Sequence, residues 1–308
     1  QMCDDEDDDA EQWGSRTLTV TFPHGIEVKI SENFFDAGVA GVLWCGAMRL
    51  MHALTHSRSF IPIDYCKGKR TIELGAGTGI ISVVASKLGA AHITVTDQSV
   101  ALENMELNLR MNIDSAVFDE RCSVLELEWG TLEHRLALQP PYDAIFVAEC
   151  VYPWDDAHIV IQSLLDTIHF LSDENTDVWF CGINTPKKGE HSGSSTLDLF
   201  LQQAPQLFDC HLMCVDPRED ASTVNDTSDG KSAESESSDL FPSPSFESGL
   251  FPSPLAHQQC RGVWLLKKKS KPQGIENAPG DVSSISFENS EGADSNPRPF
   301  GKVPLLVL

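Results

Sequence analysis

The stretch TIELGAGTGI, residues 71–80, sets Glu73 just before three alternating glycines, Gly75, Gly77 and Gly79. An apolar strand that runs into such a turn and then into a helix brings the N–H groups of the helix N-terminus close to a ligand, an approach that a Cβ would block. Twenty residues past Gly77, the segment HITVTD ends in Asp97, a carboxylate placed to accept hydrogen bonds from both ribose hydroxyls of an adenosine. Glycine turn and acid together suit NAD as well as S-adenosylmethionine. The spacing, however, is GxGxG and not GxGxxG, and a dinucleotide requires a tight pyrophosphate cradle. S-adenosylmethionine has no phosphate and carries a cationic sulfonium and amino group, which Glu73 at the strand end suits. A third acid, Glu149, directly follows the apolar run YDAIFVA, on the edge of a sheet where open α/β folds bind ligands.

These residues need a scaffold, and the sequence supplies one. RTIEL, HITVTD, CSVLELEW, YDAIFVAE and DVWFCGI read as strands, separated by the helical patterns IISVVASKLG, SVALENMELNLRMN (with Ser99 as a candidate cap) and AHIVIQSLLDTIHFL. Strands alternating with helices of this length form βαβ units, hence a largely parallel sheet covered on both faces. A further helix, SSTLDLFLQQAPQLF, precedes FDCHLMCV, and CRGVWLLKK closes the series; these last two strands lack an intervening helix and are expected to pair as an antiparallel hairpin at one end of the sheet. Upstream, residues 17–30 read as two alternating strands around a turn at Pro23, His24 and Gly25, and the apolar spacing of residues 38–54 predicts a helix packed on one side. His52 and His56 lie at i and i+4 there, but HALTH lacks the glutamate of a zinc protease, so a packed or solvated helix face is expected.

The 308 residues carry 22 Lys and Arg against 46 Asp and Glu, a formal net charge of −24. Broad binding to a polyanion is thereby excluded, because phosphates are repelled where Lys and Arg do not neutralise them. The charge is concentrated: residues 1–11 hold −7, residues 216–259 another −7, and residues 270–308 hold −2. Those segments are rich in Asp, Glu, Ser, Pro and Gly and are expected to be disordered. The expected organisation is an acidic leader (1–16), an N-terminal hairpin region (17–37), a core (38–215), an acidic insertion (216–259) with a duplicated LFPSP, the last core strand (260–269) and a tail (270–308). The basic cluster KKKSK, 267–271, reads as a solvated strand end. Nine cysteines without a CxxC pair read as reduced thiols and give no metal site. No apolar run is long enough to span a bilayer. The first residue is Gln1, and the natural start is expected to lie upstream.

Five blocks together resemble the seven-β-strand methyltransferases, and in particular the methyltransferase-like protein-lysine methyltransferases. GVAGVLWCGA is similar to their pre-core segment, which implies that Trp44 contacts the cofactor; ELGAGTG implies cofactor binding by Gly75, Ala76 and Gly77, and TVTD gives Asp97 the ribose role. LEWG implies that Trp129 lies by the adenine. VAECVY resembles the family's acid-x-x-Tyr signature, which implies Ala148 against the cofactor and Glu149 and Tyr152 at the catalytic mouth, with Trp154, Asp155 and Asp156 forming an acidic rim. Here Cys45 stands where the family commonly has Asp, and Glu149 where Asp is more frequent. The resemblance implies a Rossmann-like, mostly parallel seven-stranded sheet with an antiparallel last strand, S-adenosylmethionine as cofactor, no metal, and methyl transfer to a lysine of a protein such as a chaperone or translation factor. A monomer working in the cytoplasm or nucleus, without membrane or nucleic-acid partner, is expected. Two alternatives stay open: methylation of another side chain or a small molecule, and a non-catalytic interaction protein.

Overall fold

The computed structural model describes residues 16–151, 156–183, 195–215 and 260–270. Strands β1 (Arg16–Phe22) and β2 (Ile26–Glu32) form an antiparallel hairpin, turned at His24 and Gly25, both with positive φ. Helix α1 (Cys45–Thr55) follows. The core then runs β3 (Arg70–Leu74), α2 (Ile80–Lys87), β4 (His92–Asp97), α3 (Leu102–Asn112), α4 (Ser115–Arg121), β5 (Cys122–Glu126), α5 (Leu132–Leu136), β6 (Ala144–Ala148), α6 (Ala157–Leu171), β7 (Asp177–Ile183), α7 (Thr196–Gln203), β8 (Phe208–Val215) and β9 (Cys260–Lys268).

These strands form one seven-stranded sheet in the order β5-β4-β3-β6-β7-β9-β8. β3 to β7 are parallel, and β9 inserts between β7 and β8, antiparallel to both. The last strand is thus inside the sheet, and β8 forms the edge. Strand alternation divides the core into two layers. Ala144, Phe146, Trp179 and Cys181 face α1, α2, α3 and the hairpin, while Ile145, Val147, Val178 and Phe180 face α6 and α7, where the Phe180 and Phe200 rings stack at 4.1 Å. The chain leaves β3 to build β4 and β5 on one side, then returns to build β6 on the other. That reversal places a ligand crevice at the C-terminal ends of β3 and β6.

The hairpin is fastened by two asparagines one turn apart on α3. Asn108 accepts from Ser31 N (2.6 Å) and donates to Ser31 O (3.0 Å), and Asn112 does the same with Lys29 (2.8 and 2.6 Å). The side-chain amides occupy backbone groups that an unpaired strand edge would leave open.

The expected helix over residues 38–54 is broken. A 3-10 turn spans Gly38–Gly41, Val42 and Trp44 are extended, and the helix begins at Cys45. Asn33 N donates to Gly41 O (2.9 Å), and a Cβ on Gly41 would lie 2.0 Å from Asn33 O, so the two backbones touch where a helix would separate them. The buried Glu32 carboxylate then takes the Leu43 N–H (2.8 Å) and pairs with Arg16, drawing β1 one residue into the expected leader. Two short helices, α4 and α5, interrupt segments expected to be loop or strand. Asp114 caps α4 through Ala116 N, and β5 stops at Glu126, three residues short of the expected strand end. The predicted 99–112 helix opens with a 3-10 turn in which Ser99 gives no side-chain cap.

The basic cluster is built into the fold. Lys268 Nζ donates to the carbonyls of His169 (2.8 Å) and Ser172 (2.7 Å) at the end of α6, and Lys267 pairs with Asp177. Positive charge at a helix C-terminus complements its unpaired carbonyls, so these lysines are structural rather than simply solvated. His52 packs edge-on against Phe22 at 5.2 Å. The expected leader short of Arg16, the 216–259 insertion and the tail beyond Ser270 lie outside the described residues.

Candidate active site

Three carboxylates gather at the C-terminal edge of the sheet, each placed by the strand that precedes it. Asp97 ends β4. Its Oδ2 accepts from Gly77 N (2.7 Å) and its Oδ1 from Gln98 N (2.7 Å). Each oxygen keeps a lone pair for a further donor. Burial holds its pKa above the ordinary aspartate value, against the pull of these two amides.

Glu73 sits one residue before the end of β3, and its side chain turns inward. Its Oε2 accepts from Ser82 N (2.8 Å) and Ser82 Oγ (2.6 Å), anchoring the first turn of α2. Burial pushes its pKa up to about 7 despite these bonds. Sequence reasoning set Glu73 against a cationic cofactor; the structure commits the bonded oxygen to α2. It therefore acts as a support that fixes the glycine loop from beneath.

Glu149 follows β6 and is 1% exposed. Its φ of +56° lies in the left-handed region, unusual for a residue with a side chain. Such strain persists where the surroundings over-determine it: Glu149 N donates to Cys181 O (2.8 Å) and Cys45 Sγ donates to Glu149 Oε1 (3.0 Å). Oε2 is buried and makes no hydrogen bond among the described residues. Burial raises this acid to about 7, opposed by bonds from the Cys45 thiol and the Gly46 amide.

The glycine loop lies between these acids. Gly75 has φ +57°, and a Cβ there would come 2.6 Å from Cys150 Sγ and 3.2 Å from Trp129 Cζ2. Cys150 is buried behind the loop, bonded to Leu74 O (3.2 Å), and burial among Asp97, Glu73 and Glu149 keeps its thiol protonated. Gly77, at φ +54°, faces Ala40 O at 3.0 Å from its would-be Cβ, and Ala76 N donates to Thr96 O (3.0 Å), tying the loop to β4. Gly46 packs against Glu149, with only 2.6 Å from a would-be Cβ to Glu149 Cγ. The segment from Ala40 to Gly46 thus touches the glycine loop at one end and the buried acid at the other.

Trp44 caps α1 from an extended conformation, half-buried, with Nε1 donating to Val39 O (2.8 Å). Trp129 is half-buried against Gly75, and Ala148 is half-buried beside Glu149. Both tryptophans stand outside the fully buried core. Tyr152, Trp154 and Asp155 lie outside the described residues; Asp156 is exposed at the start of α6. Sequence reasoning missed the roles of Cys45, Gly46 and Cys150. A glycine directly after the tryptophan-cysteine pair was the available signal for the close approach of the acid.

The fit to S-adenosylmethionine rests on this chemistry. Three partly or fully buried acids, none of them ion-paired among the described residues, receive a cation well and a pyrophosphate poorly. The loop offers backbone amides without side chains, and Asp97 retains acceptor capacity for hydroxyls. Among the described residues no group of His, Cys, Asp and Glu has the arrangement of a metal site.

A family model described as lysine methyltransferase matches residues 24–192. Over 153 residues the chain is 37% identical to protein N-lysine methyltransferase METTL21A of Danio rerio, a match covering 49% of this chain and 64% of that one. It is 30% identical over 190 residues to EEF1A lysine methyltransferase 3 of Xenopus tropicalis, covering 61% and 75%. It is 31% identical over 199 residues to the protein of that name from Mus musculus, covering 64% and 76%. The chain therefore spans just under two thirds of the zebrafish relative and about three quarters of the other two.

Proposed function

The chain belongs to the lysine methyltransferase family, and from that premise we propose that it is an S-adenosylmethionine-dependent protein-lysine N-methyltransferase in which Glu149 receives the substrate lysine. The observation that carries this reading is the buried Oε2 of Glu149, which has no hydrogen bond among the described residues at the ligand edge of the sheet. A buried acceptor left open is costly unless a ligand completes it.

Gly75, Ala76 and Gly77 would hold the cofactor through the loop backbone, Asp97 through its ribose hydroxyls, and Trp44, Trp129 and Ala148 through apolar contact. When bound, S-adenosylmethionine supplies a methyl group made electrophilic by its sulfonium. The protein must present an uncharged amine, because an ammonium has no lone pair. A lysine titrates near 10.4 in water, so proton transfer to an ordinary glutamate is uphill by about 8 kcal/mol. With Glu149 raised to about 7, that cost falls to about 5 kcal/mol, and burial of the ammonium lowers it further. The same burial that destabilises the carboxylate makes it a better base.

Tyr152, three residues beyond Glu149, is proposed as a wall of the lysine channel, its ring facing the developing cation. The proposed substrate is a protein such as a chaperone or translation factor; relatives named for N-lysine methylation of proteins support the protein class. The proposed compartment is the cytoplasm or nucleus, supported by six free cysteines among the described residues.

The test is incubation with methyl-labelled S-adenosylmethionine and a cell lysate, followed by mass spectrometric assignment of the labelled residue. Label on lysine, lost in Glu149→Gln and Tyr152→Ala while both still gain thermal stability from S-adenosylhomocysteine, is the expected result. Label on another residue type, or stabilisation by NAD and not by S-adenosylhomocysteine, overturns the reading.

A further inference from the structure

Glu149 is fixed at three points. Its backbone N–H is held by Cys181 O, its Oε1 accepts from the Cys45 thiol at 3.0 Å, and the Gly46 amide bonds the same carboxylate. Gly46 leaves the space for this, since a Cβ there would lie 2.6 Å from Glu149 Cγ, 3.0 Å from Cδ and 3.3 Å from Oε1. Oε2 is left without a bond among the described residues. Cys45 and Gly46 are the first two residues of α1, so the start of that helix forms a socket for the acid.

We propose that Cys45 is a positioning residue for the methyl-transfer base: its thiol occupies Oε1 and so selects Oε2 as the oxygen that takes the proton from the substrate lysine. The inference rests on the reading of Glu149 given above. In this step one N–H bond of the ammonium breaks and an O–H bond forms at Oε2. The bonding pair stays on nitrogen, and the positive and negative charges cancel.

The residue type matters. A carboxylate at position 45 would repel an ionised Glu149 at this distance, and a hydroxyl would hold the ionised form more strongly than a thiol, which is a weak donor. A thiol orients the carboxylate while lowering its proton affinity least. The groups facing Glu149 are few: Cys45 and Gly46 from α1, the Cys181 carbonyl from β7, and the neighbouring Cys150 thiol, beyond which lie Asp97 and Glu73.

The experiment compares wild type, Cys45→Ala, Cys45→Ser and Glu149→Gln in the full chain. It measures initial methyl incorporation into one fixed lysate preparation at saturating labelled cofactor from pH 6 to 9.5. Infrared difference spectra of wild type minus Glu149→Gln, and of Cys45→Ala minus its Glu149→Gln double variant, read the titration of the carboxyl directly. Cys45→Ala should move the rise in rate to higher pH by about one unit and lower the plateau at least tenfold, with the infrared titration moving by the same amount. Cys45→Ser should return the titration to the wild-type value or below and recover most of the rate. An unchanged pH profile and carboxyl titration in Cys45→Ala, with Glu149→Gln inactive, overturns the role of Cys45 alone. A fully active Glu149→Gln overturns the reading beneath it as well. Should Cys45→Ala fail to fold, Cys45→Val, which removes the donor but keeps most of the volume, takes its place, and a wild-type rate profile with an unmoved infrared titration in that variant overturns the proposal.

Discussion

Replacing Glu149 by Gln should make the protein more stable while it destroys activity. In the unfolded chain this glutamate titrates near 4.5, and in the fold at about 7, chiefly because burial penalises the charged form. Between those values the folded protein binds the proton more tightly than the unfolded chain does. Wild-type stability therefore falls as pH rises through that window and levels off above it. The displacement corresponds to as much as about 3 kcal/mol of destabilisation once the group is ionised. Glutamine keeps the shape and an acceptor for the Cys45 thiol but carries no charge to desolvate. Glu149→Gln should thus exceed wild type at pH 8, with the advantage shrinking on acidification and vanishing near pH 4.5. In a fold of this size 1 kcal/mol moves Tm by roughly 2–4 °C, so the gain at pH 8 should be roughly 5–10 °C. Glu73, raised for the same reason, is common to both proteins and cancels in the difference. Thermal melts followed by circular dichroism from pH 5.5 to 8.5 provide the assay. A variant no more stable than wild type at pH 8, or a difference that does not change with pH, would refute the reasoning.

Three further outcomes are expected. Gly46→Ala removes a poor helix former but drives a Cβ into Glu149, whose side chain has no room to move; the overpacking cost of about 1–3 kcal/mol offsets the propensity gain, so Tm should change by only a few degrees while the rate falls at least a hundredfold, and combination with Glu149→Gln should reduce the rate no further. Gly75→Ala places a Cβ at positive φ against Cys150 and Trp129, and isothermal titration should show S-adenosylhomocysteine affinity reduced at least tenfold, about 1.4 kcal/mol. Lys268→Ala leaves the carbonyls of His169 and Ser172 without their donor, so chemical denaturation should show a loss of about 1 kcal/mol with methyl transfer unchanged.

Much of the frame was legible because it depends on local chemistry. Short apolar runs such as RTIEL and DVWFCGI marked β3 and β7 with their observed bounds, since a strand covered on both faces is mostly apolar rather than alternating. The glycine loop was legible because only glycine tolerates its backbone angles next to Cys150 and Ala40. The helix over residues 38–54 was misread because its apolar spacing is real but a distant acid, Glu32, captures the Leu43 amide and holds the segment extended. Nothing local announces a partner eleven residues away. The direction of the Glu73 carboxylate was not legible for a similar reason: its position at the strand end is local, but its Oε2 is turned by Ser82 on the helix that packs above it.

The sequence by itself determined the order of the strands and of the longer helices between them, the glycine turn, the acid that ends β4 and the acid that follows β6, because each is written in residue type and spacing along the chain. Tertiary structure alone decided that Glu149 is fully buried, strained and held through one oxygen by a thiol 104 residues earlier. Proton affinity depends on the dielectric and the donors around a group, and those come from α1, β6 and β7 converging at one sheet edge, which no window of sequence contains.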